Sequence, residues 1–513
     1  MKINKLCILG GGTSGFITAS VLAKYREQLG LKFDITLVQS TDIGSIGVGE
    51  STIFNINELF LYLGLKDSDW MRDCNATYKT SIRFENFYKQ GRYFHYPFGP
   101  CRTDINANQW FTLKEVYPEV FTPEVASLYF NPLSIMNEEN KLCDEDDYLK
   151  NYSAYHFDSS LLGKYLKEYS EKKGVEVIED TFLEANLNDD GYVESIICEN
   201  NTYSADLFID CSGFKSLLLG GVMKEEYISF SDTLINNKAL TAKIPYTDKD
   251  KQLKNHTNCV ALKNGWCWEI PLWEHMSIGY VHTNKFATED EIKQELFDRY
   301  GEIDYTTVNY KTGRYNRGWV KNVMGIGLSY GFIEPLESTG IATTLDSIFR
   351  ALEILARRDM YYTQVDRDLY NYALEKKIDG YRNFLEIHYF LSSREDSQYW
   401  KFVTESIDYN SKEYKVLLDA LIIDRNLSYI SYGYNGNRTF TGLLFIAAGM
   451  NYSCYSKPFT LIEQSENGLD PLLLMFKKQI KELNEFTKPF LSSYKYLKKN
   501  IYGKKHSKKI SKR

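Results

Sequence analysis

No CxxC pair occurs in the sequence. Its nine cysteines stand singly at positions 7, 74, 101, 143, 198, 211, 259, 267 and 454. An odd number of isolated thiols fits a reducing compartment and excludes the common zinc spacings. Histidine is scarce, seven in all, and no two stand in a pattern such as HExxH, so no metal is expected. No apolar run reaches the roughly 18 residues of a membrane-spanning helix. No signal-peptide pattern precedes the first strand, so a cytoplasmic location is expected. Repeats with periods of roughly 20–50 residues and low-complexity linkers are also missing. Positive charge is not in excess either. The net charge of -7 argues against a general nucleic-acid binder. The exception is the Lys-rich stretch from Lys495 to Arg513, which reads as a solvated terminus.

What is present is a globular composition, 43% hydrophobic and 25% charged, with 15% aromatic residues dominated by 40 tyrosines. That suits a large core and aromatic-lined pockets. At 513 residues the chain is long enough for one large domain or two to three ordinary ones.

The opening reads strand, turn, helix, strand: Lys5–Leu9 is apolar, Gly10-Gly11-Gly12-Thr13-Ser14-Gly15 is the turn, Phe16–Gln28 has helical spacing, and Phe33–Val38 is a second strand. A later strand, Asp206–Asp210, runs into Cys211-Ser212-Gly213. Gly47–Thr52 reads as a glycine loop entering a helix, Tyr88–Tyr148 as a loop-heavy aromatic segment, and Gly265–Tyr280 as strand. Thr344–Arg358 has the spacing of an amphipathic helix, with Ile348, Leu352 and Leu355 on one face. The expected fold class is α/β: a discontinuous N-terminal domain over 1–343, with substrate-side insertions near 85–150, and a mainly helical region over 344–513. No sharp linker separates them.

Gly10, Gly12 and Gly15 form G-x-G-x-x-G between a strand and a helix. The glycines permit a tight turn and close approach of a pyrophosphate, which the helix N-terminus stabilises. A chance glycine turn is the plain alternative. The ribose-binding acid expected about twenty residues on is missing, and Gln39 stands at the end of the second strand in a position to hydrogen-bond a ribose hydroxyl. No second phosphate-binding motif follows, so a single dinucleotide is expected. Gly47-Val48-Gly49-Glu50-Ser51-Thr52 and Asp210-Cys211-Ser212-Gly213 favour FAD over NAD, although each alone would pass for a routine turn.

With these residues and five further segments, Asn75-Ala76-Thr77-Tyr78-Lys79, Tyr155-His156-Phe157-Asp158, Asp206–Phe214, Gly265–Pro271 and Phe332–Ile341, the sequence resembles the flavin-dependent halogenases related to the tryptophan halogenases. The resemblance extends from the first strand to about residue 400. It implies a Rossmann-like FAD domain of the flavin monooxygenase type, with FAD held by Gly10, Gly12, Thr13, Ser14, Gly15, Gln39, Val48, Gly49, Glu50, Ser51, Asp210, Gly213, Leu336 and Ile341. It implies halide at Thr339 and Gly340, and catalysis by Lys79 and Glu337. FADH2, O2 and halide would give hypohalous acid, which Lys79 holds by hydrogen bonds or as a haloamine. Glu337 would stabilise the cationic ring intermediate and take its proton. Reduced flavin would come from a separate NAD(P)H-dependent flavin reductase, since no NAD(P)H module is evident. Each residue also has an ordinary reading: a solvated lysine, a helix-terminal or surface carboxylate at Glu337 with Glu334 as competitor, and two core tryptophans. Trp266 and Trp268 share one face of a strand. The resemblance places them beside the flavin, shielding it from an organic substrate.

The substrate region departs from tryptophan-specific members. Leu421–Pro458 contains no Trp and no Glu, and Gly442–Ala447 is apolar. The family's His-x-Phe contact reads Tyr96-Pro97-Phe98, with His95 adjacent; Phe98 remains available to stack on an aromatic ring. A small, less polar aromatic, indole or phenol, is expected rather than free tryptophan. The competing readings are an aromatic hydroxylase that takes NAD(P)H directly, and a non-catalytic flavoprotein.

Overall fold

The computed structural model describes residues 1–40, 48–99, 101, 107–143, 148–423, 437–453 and 469–503. Two sheets carry the architecture, which is mixed α/β. The first has six strands, ordered Trp319–Val320, Val323–Gly325, Leu207–Asp210, Lys5–Leu9, Asp34–Gln39 and Glu176–Glu179. All neighbours run parallel except the short first pair. Its central strand, Lys5–Leu9, has residues 6–9 buried, the unbroken apolar run expected when helices cover both faces. The turn after it leads into the helix Thr13–Leu29, which packs on Ser159–Lys172 and Gly340–Ala356.

The second sheet has seven strands, ordered Thr306–Asn309, Lys238–Pro245, His275–His282, Gly265–Pro271, His256–Leu262, Ser81–Glu85 and Tyr93–Pro97. The expected strand at Gly265–Tyr280 is the hairpin at its centre. A small antiparallel sheet of Gly49–Ser51, Ala154–Asp158 and Thr77–Lys79 lies against it.

Two local expectations are corrected. The segment after Val48 does not run straight into a helix: Gly49–Ser51 is a strand paired with His156–Asp158, and the helix begins at Ile56. Sheet pairing, invisible in so short a run, decides this; Gly47 lies outside the described residues. Among its described residues Tyr88–Tyr148 is not loop-heavy. It holds the helices Ala107–Val116, Pro123–Phe130 and Ile135–Glu138. Their aromatic faces are buried, and Trp110, Phe121, Tyr129 and Phe130 form one cluster of rings. Packing of these rings against one another, which no local pattern announces, holds the helices in place of the expected loops.

After Gly340 the described residues are mainly helical, with the helices Gly340–Ala356, Gln364–Phe390, Ser411–Ile423, Asn437–Gly449 and Asp470–Thr487 the longest. The helix Gly340–Ala356 runs across 343/344, and Ile3 N–H donates to the Met360 carbonyl. The chain therefore shows no break in structure at that point. Among the described residues no helix is long and apolar enough to cross a membrane.

Candidate active site

Two helix N-termini meet at one edge of the parallel sheet. Gly10 takes φ +119°, a left-handed value, and a Cβ there would sit 2.3 Å from the Cys211 carbonyl oxygen. Only glycine lets the turn lie this close to the Cys211–Gly213 loop. A Cβ at Gly12 would meet nothing within 4 Å, so this part of the loop faces open space. The helix Thr13–Leu29 has no side-chain cap and no acid in its first turn, leaving its N–H dipoles available to an anion. Gln39 lies over the same turn: a Cβ at Gly11 would fall 1.9 Å from its Oε1. Ser14 Oγ is 2.9 Å from Thr344 Oγ1, tying this helix to Gly340–Ala356. Thr13 Oγ1 donates to the Ser159 carbonyl.

Asp210 is fully buried, and its carboxylate accepts from Ser212 N, Ser212 Oγ, Leu218 N and Leu219 N at 2.6–3.0 Å. It shapes the loop that carries Gly213. Gly213 has φ +70° and open space on its Cβ side. Burial pushes Glu50 up to about 7, and Gly49 N–H donates to Ser277 Oγ.

The second N-terminus belongs to Gly340–Ala356, again without a side-chain cap or first-turn acid. Before it, Pro335–Glu337 forms a single 3₁₀ turn, closed by Ser338 in the left-handed conformation at φ 57°, ψ 38°. Thr339 returns to φ -86°, ψ -5°. Alternating left- and right-handed residues turn successive N–H groups to one side, the geometry of an anion nest. The Thr339 and Gly340 N–H groups have no acceptor among the described residues. Leu336 and Ile341, on either side, are buried.

Lys79 ends the strand Thr77–Lys79 and is completely buried. Its Nζ donates to the Thr52 carbonyl and to Ser338 Oγ, both at 2.9 Å, and lies 5.2 Å from the Phe98 ring centroid. Burial pushes the ammonium down to about 7, opposed by Glu337 and then Cys259. Ser338 Oγ donates onward to Ser51 Oγ at 3.0 Å. The local sequence therefore carries both the lysine's partner and the carboxylate on one 3₁₀ turn.

Glu337 Oε1 faces His388 Nε2 at 2.7 Å, out of line for a linear hydrogen bond. The other ring nitrogen, Nδ1, lies 3.1 Å from the Phe384 carbonyl, and this contact requires an N–H there. Glu334, the competing carboxylate, is differently engaged: Oε2 accepts from Asn236 Nδ2 (3.0 Å), Tyr389 OH (2.6 Å) and Trp266 Nε1 (3.2 Å). It fixes the Trp266 indole through Nε1. Trp266 and Trp268 pack edge to face at 6.2 Å. A Cβ at Gly279 would fall 1.9 Å from the Trp268 ring, so the indole lies against bare backbone across the strand pair.

Beyond Phe98 the wall is apolar. Tyr96 stands 5.8 Å from Phe445 and 6.2 Å from Phe384, and Phe445 is 5.7 Å from Phe130. Burial and then the Glu337 charge hold the Tyr96 phenol above its ordinary range. The apolar segment Gly442–Ala447 belongs to the helix Asn437–Gly449, which packs on the strand Tyr93–Pro97 and the helix Pro123–Phe130. Residues 424–436 and 454–468 lie outside the described residues.

The residue reading missed Ser338 as the lysine's partner, as well as His388. Ser338 was visible inside the E-P-L-E-S-T-G-I segment. Nothing in the local pattern around His388 signals that it meets Glu337, 51 positions earlier in the chain.

The family model for tryptophan halogenase matches residues 5–419. A 7-chloro-L-tryptophan 6-halogenase, KtzR, from Kutzneria sp. (strain 744) is 34% identical over 423 residues, covering 77% of this chain and 81% of that protein. Among solved structures, the apo structure of VirX1 superposes with a TM-score of 0.88 at 34% identity, covering 98% of this chain and 100% of that one. The tryptophan 6-halogenase SttH from Streptomyces toxytricini superposes with a TM-score of 0.85 at 28% identity, covering 96% and 99%. With the family model spanning most of the chain, this protein belongs to the tryptophan halogenase family and is an FADH2-dependent halogenating enzyme.

Proposed function

We propose that this enzyme halogenates a small electron-rich aromatic of low charge, indole- or phenol-like, with Lys79 as carrier of the halogen and Glu337 as base. The observation that carries this reading is Lys79: a sealed ammonium, held by Thr52 and Ser338 beside the turn that bears Glu337 and the uncapped N–H groups of Thr339 and Gly340.

The glycine turn with open space at Gly12, the uncapped helix behind it, and Gln39 over the turn fit the pyrophosphate and ribose of FAD in a Rossmann-like domain. Thr13, Ser14, Gly15, Val48, Gly49, Glu50, Ser51, Gly213, Leu336 and Ile341 would complete its surroundings, with Asp210 shaping the loop. Bound reduced FAD supplies, with O2 and halide, hypohalous acid. A separate flavin reductase would supply the reduced flavin. Halide would sit on the Thr339 and Gly340 N–H groups. Trp266 and Trp268 would keep an organic ring off the flavin.

In the neutral lysine the two N–H groups satisfy Thr52 and Ser338, leaving the lone pair for halogen. This arrangement favours the haloamine route. A group pushed to about 7 gives a testable acid limb: single-turnover halogenation should rise with pH and level off above about 7. A profile flat across neutrality would count against the amine as carrier. The stability sign runs the same way. The folded value lies below the unfolded lysine's ~10.4, so between these values the unfolded chain binds more protons and folding gains as pH rises. Below about 7 both states are charged and the full cost of burying the ammonium is felt.

The wall of Tyr96, Phe98, Phe384 and Phe445 supports an apolar aromatic substrate. A panel of indoles, phenols and free tryptophan, each with chloride and bromide and scored by mass spectrometry, tests this. Indoles or phenols should turn over at least about tenfold better than free tryptophan, the cost of an unpaired ammonium and carboxylate at an apolar wall. Tryptophan as the best substrate would sink the preference, and absence of any halogenated product would sink the function.

A further inference from the structure

Lys79 has no exposed surface, so its proton cannot pass directly to bulk water. Of its two partners, the Thr52 carbonyl cannot relay a proton and the Ser338 hydroxyl can. From Ser338 a buried line of groups continues to Ser51, Thr257, His156 and Thr77.

The direction of each bond follows from its far end. Thr77 has one hydroxyl proton and donates it to the Pro271 carbonyl at 2.6 Å. Its 3.0 Å contact with His156 Nδ1 must therefore use the ring's N–H. That fixes the Nδ1–H tautomer and leaves a lone pair on Nε2. Thr257 Oγ1, 2.9 Å from Nε2, then donates to it. With that proton committed, the 2.6 Å contact between Ser51 and Thr257 has Ser51 donating. Ser338 donates to Ser51 at 3.0 Å, and Lys79 donates to Ser338 at 2.9 Å. Every bond points the same way, from the ammonium to the lone pair of the imidazole Nε2.

We propose that His156 is the internal proton acceptor of Lys79, reached through Ser338, Ser51 and Thr257. This rests on Lys79 acting as the halogen-carrying amine. In the step an N–H bond of Lys79 breaks and an O–H bond forms on Ser338. Each hydroxyl passes its own proton on, and His156 Nε2 gains one. The lysine becomes a neutral amine whose lone pair first faces the new Ser338 O–H and is presented to halogen once the Cε–Nζ bond turns, and the ring becomes an imidazolium. The return step reverses the line. Burial and then the charge of Lys79 hold His156 well below the ordinary imidazole range, so the imidazolium is short-lived and the proton returns when the amine next accepts one.

The charged and titratable groups around the pair are few. Lys79 faces Glu337, Cys259 and His156; His156 faces Lys79 and, beyond it, His256. Glu337 is the rival acceptor, but His388 already engages its Oε1.

The test is single-turnover bromination of indole with reduced FAD, bromide and O2, followed across the acid limb. Thr257→Val removes the hydroxyl and keeps the shape. It should lower the rate about tenfold and move the acid limb upward, while Thr257→Ser restores both. His156→Gln should match Thr257→Val. The unaltered enzyme gives a second reading that needs no variant: a proton inventory in mixed H2O and D2O should be curved, as several protons move together. A Thr257→Val rate and limb equal to wild type, or a linear inventory, overturns the relay and leaves Lys79 as carrier intact. No brominated indole from wild type overturns the halogenation reading and the relay together.

Discussion

Lys79→Ala is expected to abolish directed halogenation, with at least a ~10³-fold fall in halogenated product and little change in flavin binding. Two contributions disappear together. One is the contact between oxidant and ring, since a held halogen acts at an effective concentration that dilute hypohalous acid in solution cannot match. The other is the activated amine itself, with its protons held by Thr52 and Ser338 and its affinity for a third lowered by burial. The alanine also leaves the Thr52 carbonyl without this donor and opens a void, which would cost stability by itself. Lys79→Met separates these effects because it fills the volume without an amine. Both variants should still consume reduced flavin and O2, and the unused oxidant should appear in a soluble halogen trap. Product mass spectrometry beside the trap assay is the measurement. Full halogenation by Lys79→Met would remove the lysine from the mechanism.

The second large effect is expected at Glu337. Glu337→Gln keeps the side chain's shape and removes its basicity, so the rate should fall ~10²–10⁴-fold, the range for loss of a general base. When the ring intermediate releases its proton, the carboxylate would take it, held in place by the His388 ring 2.7 Å from its Oε1. The glutamine can offer its amide to His388 Nε2, so the fold should tolerate the change, and a thermal melt near wild type is expected. Regiochemistry should loosen as well, because the carboxylate selects the ring position whose developing positive charge it faces. The check is product distribution together with rate. The pair with Lys79→Met should be far from additive, since both residues serve one step. Equal rate and unchanged distribution for Glu337→Gln would move the base elsewhere, and Glu334 is poorly suited to replace it, committed as it is to Trp266, Tyr389 and Asn236.

Much of the fold was legible because its signals are local. Lys5–Leu9, the glycine turn, the helix after it and Asp34–Gln39 follow the expected βαβ order. Gly265–Pro271 alternates as a strand should, and Thr344–Arg358 shows its apolar face as the helix Gly340–Ala356 does. Gly49–Ser51 was misread because a strand of this length is defined by its partner. The helices of residues 107–138 were misread as loop because packing of their rings against one another, a tertiary contact, is what defines them.

The candidate site divides in the same way. By itself the sequence determined the glycine turn, the lysine, the paired tryptophans and the Glu337 turn, because each is a short run whose chemistry depends on spacing within a few residues. Only the tertiary structure decided which of them meet. It brought Ser338 to Lys79, His388 to Glu337 and Glu334 to Trp266, and it laid Phe445 against Tyr96. It also aligned Ser51, Thr257 and His156 behind the lysine. These contacts join residues tens to hundreds of positions apart, and hydrogen bonds and burial are properties of position in space. The lysine is therefore a sequence feature, while its lowered proton affinity and the hydrogen bonds that line up behind it belong to the fold.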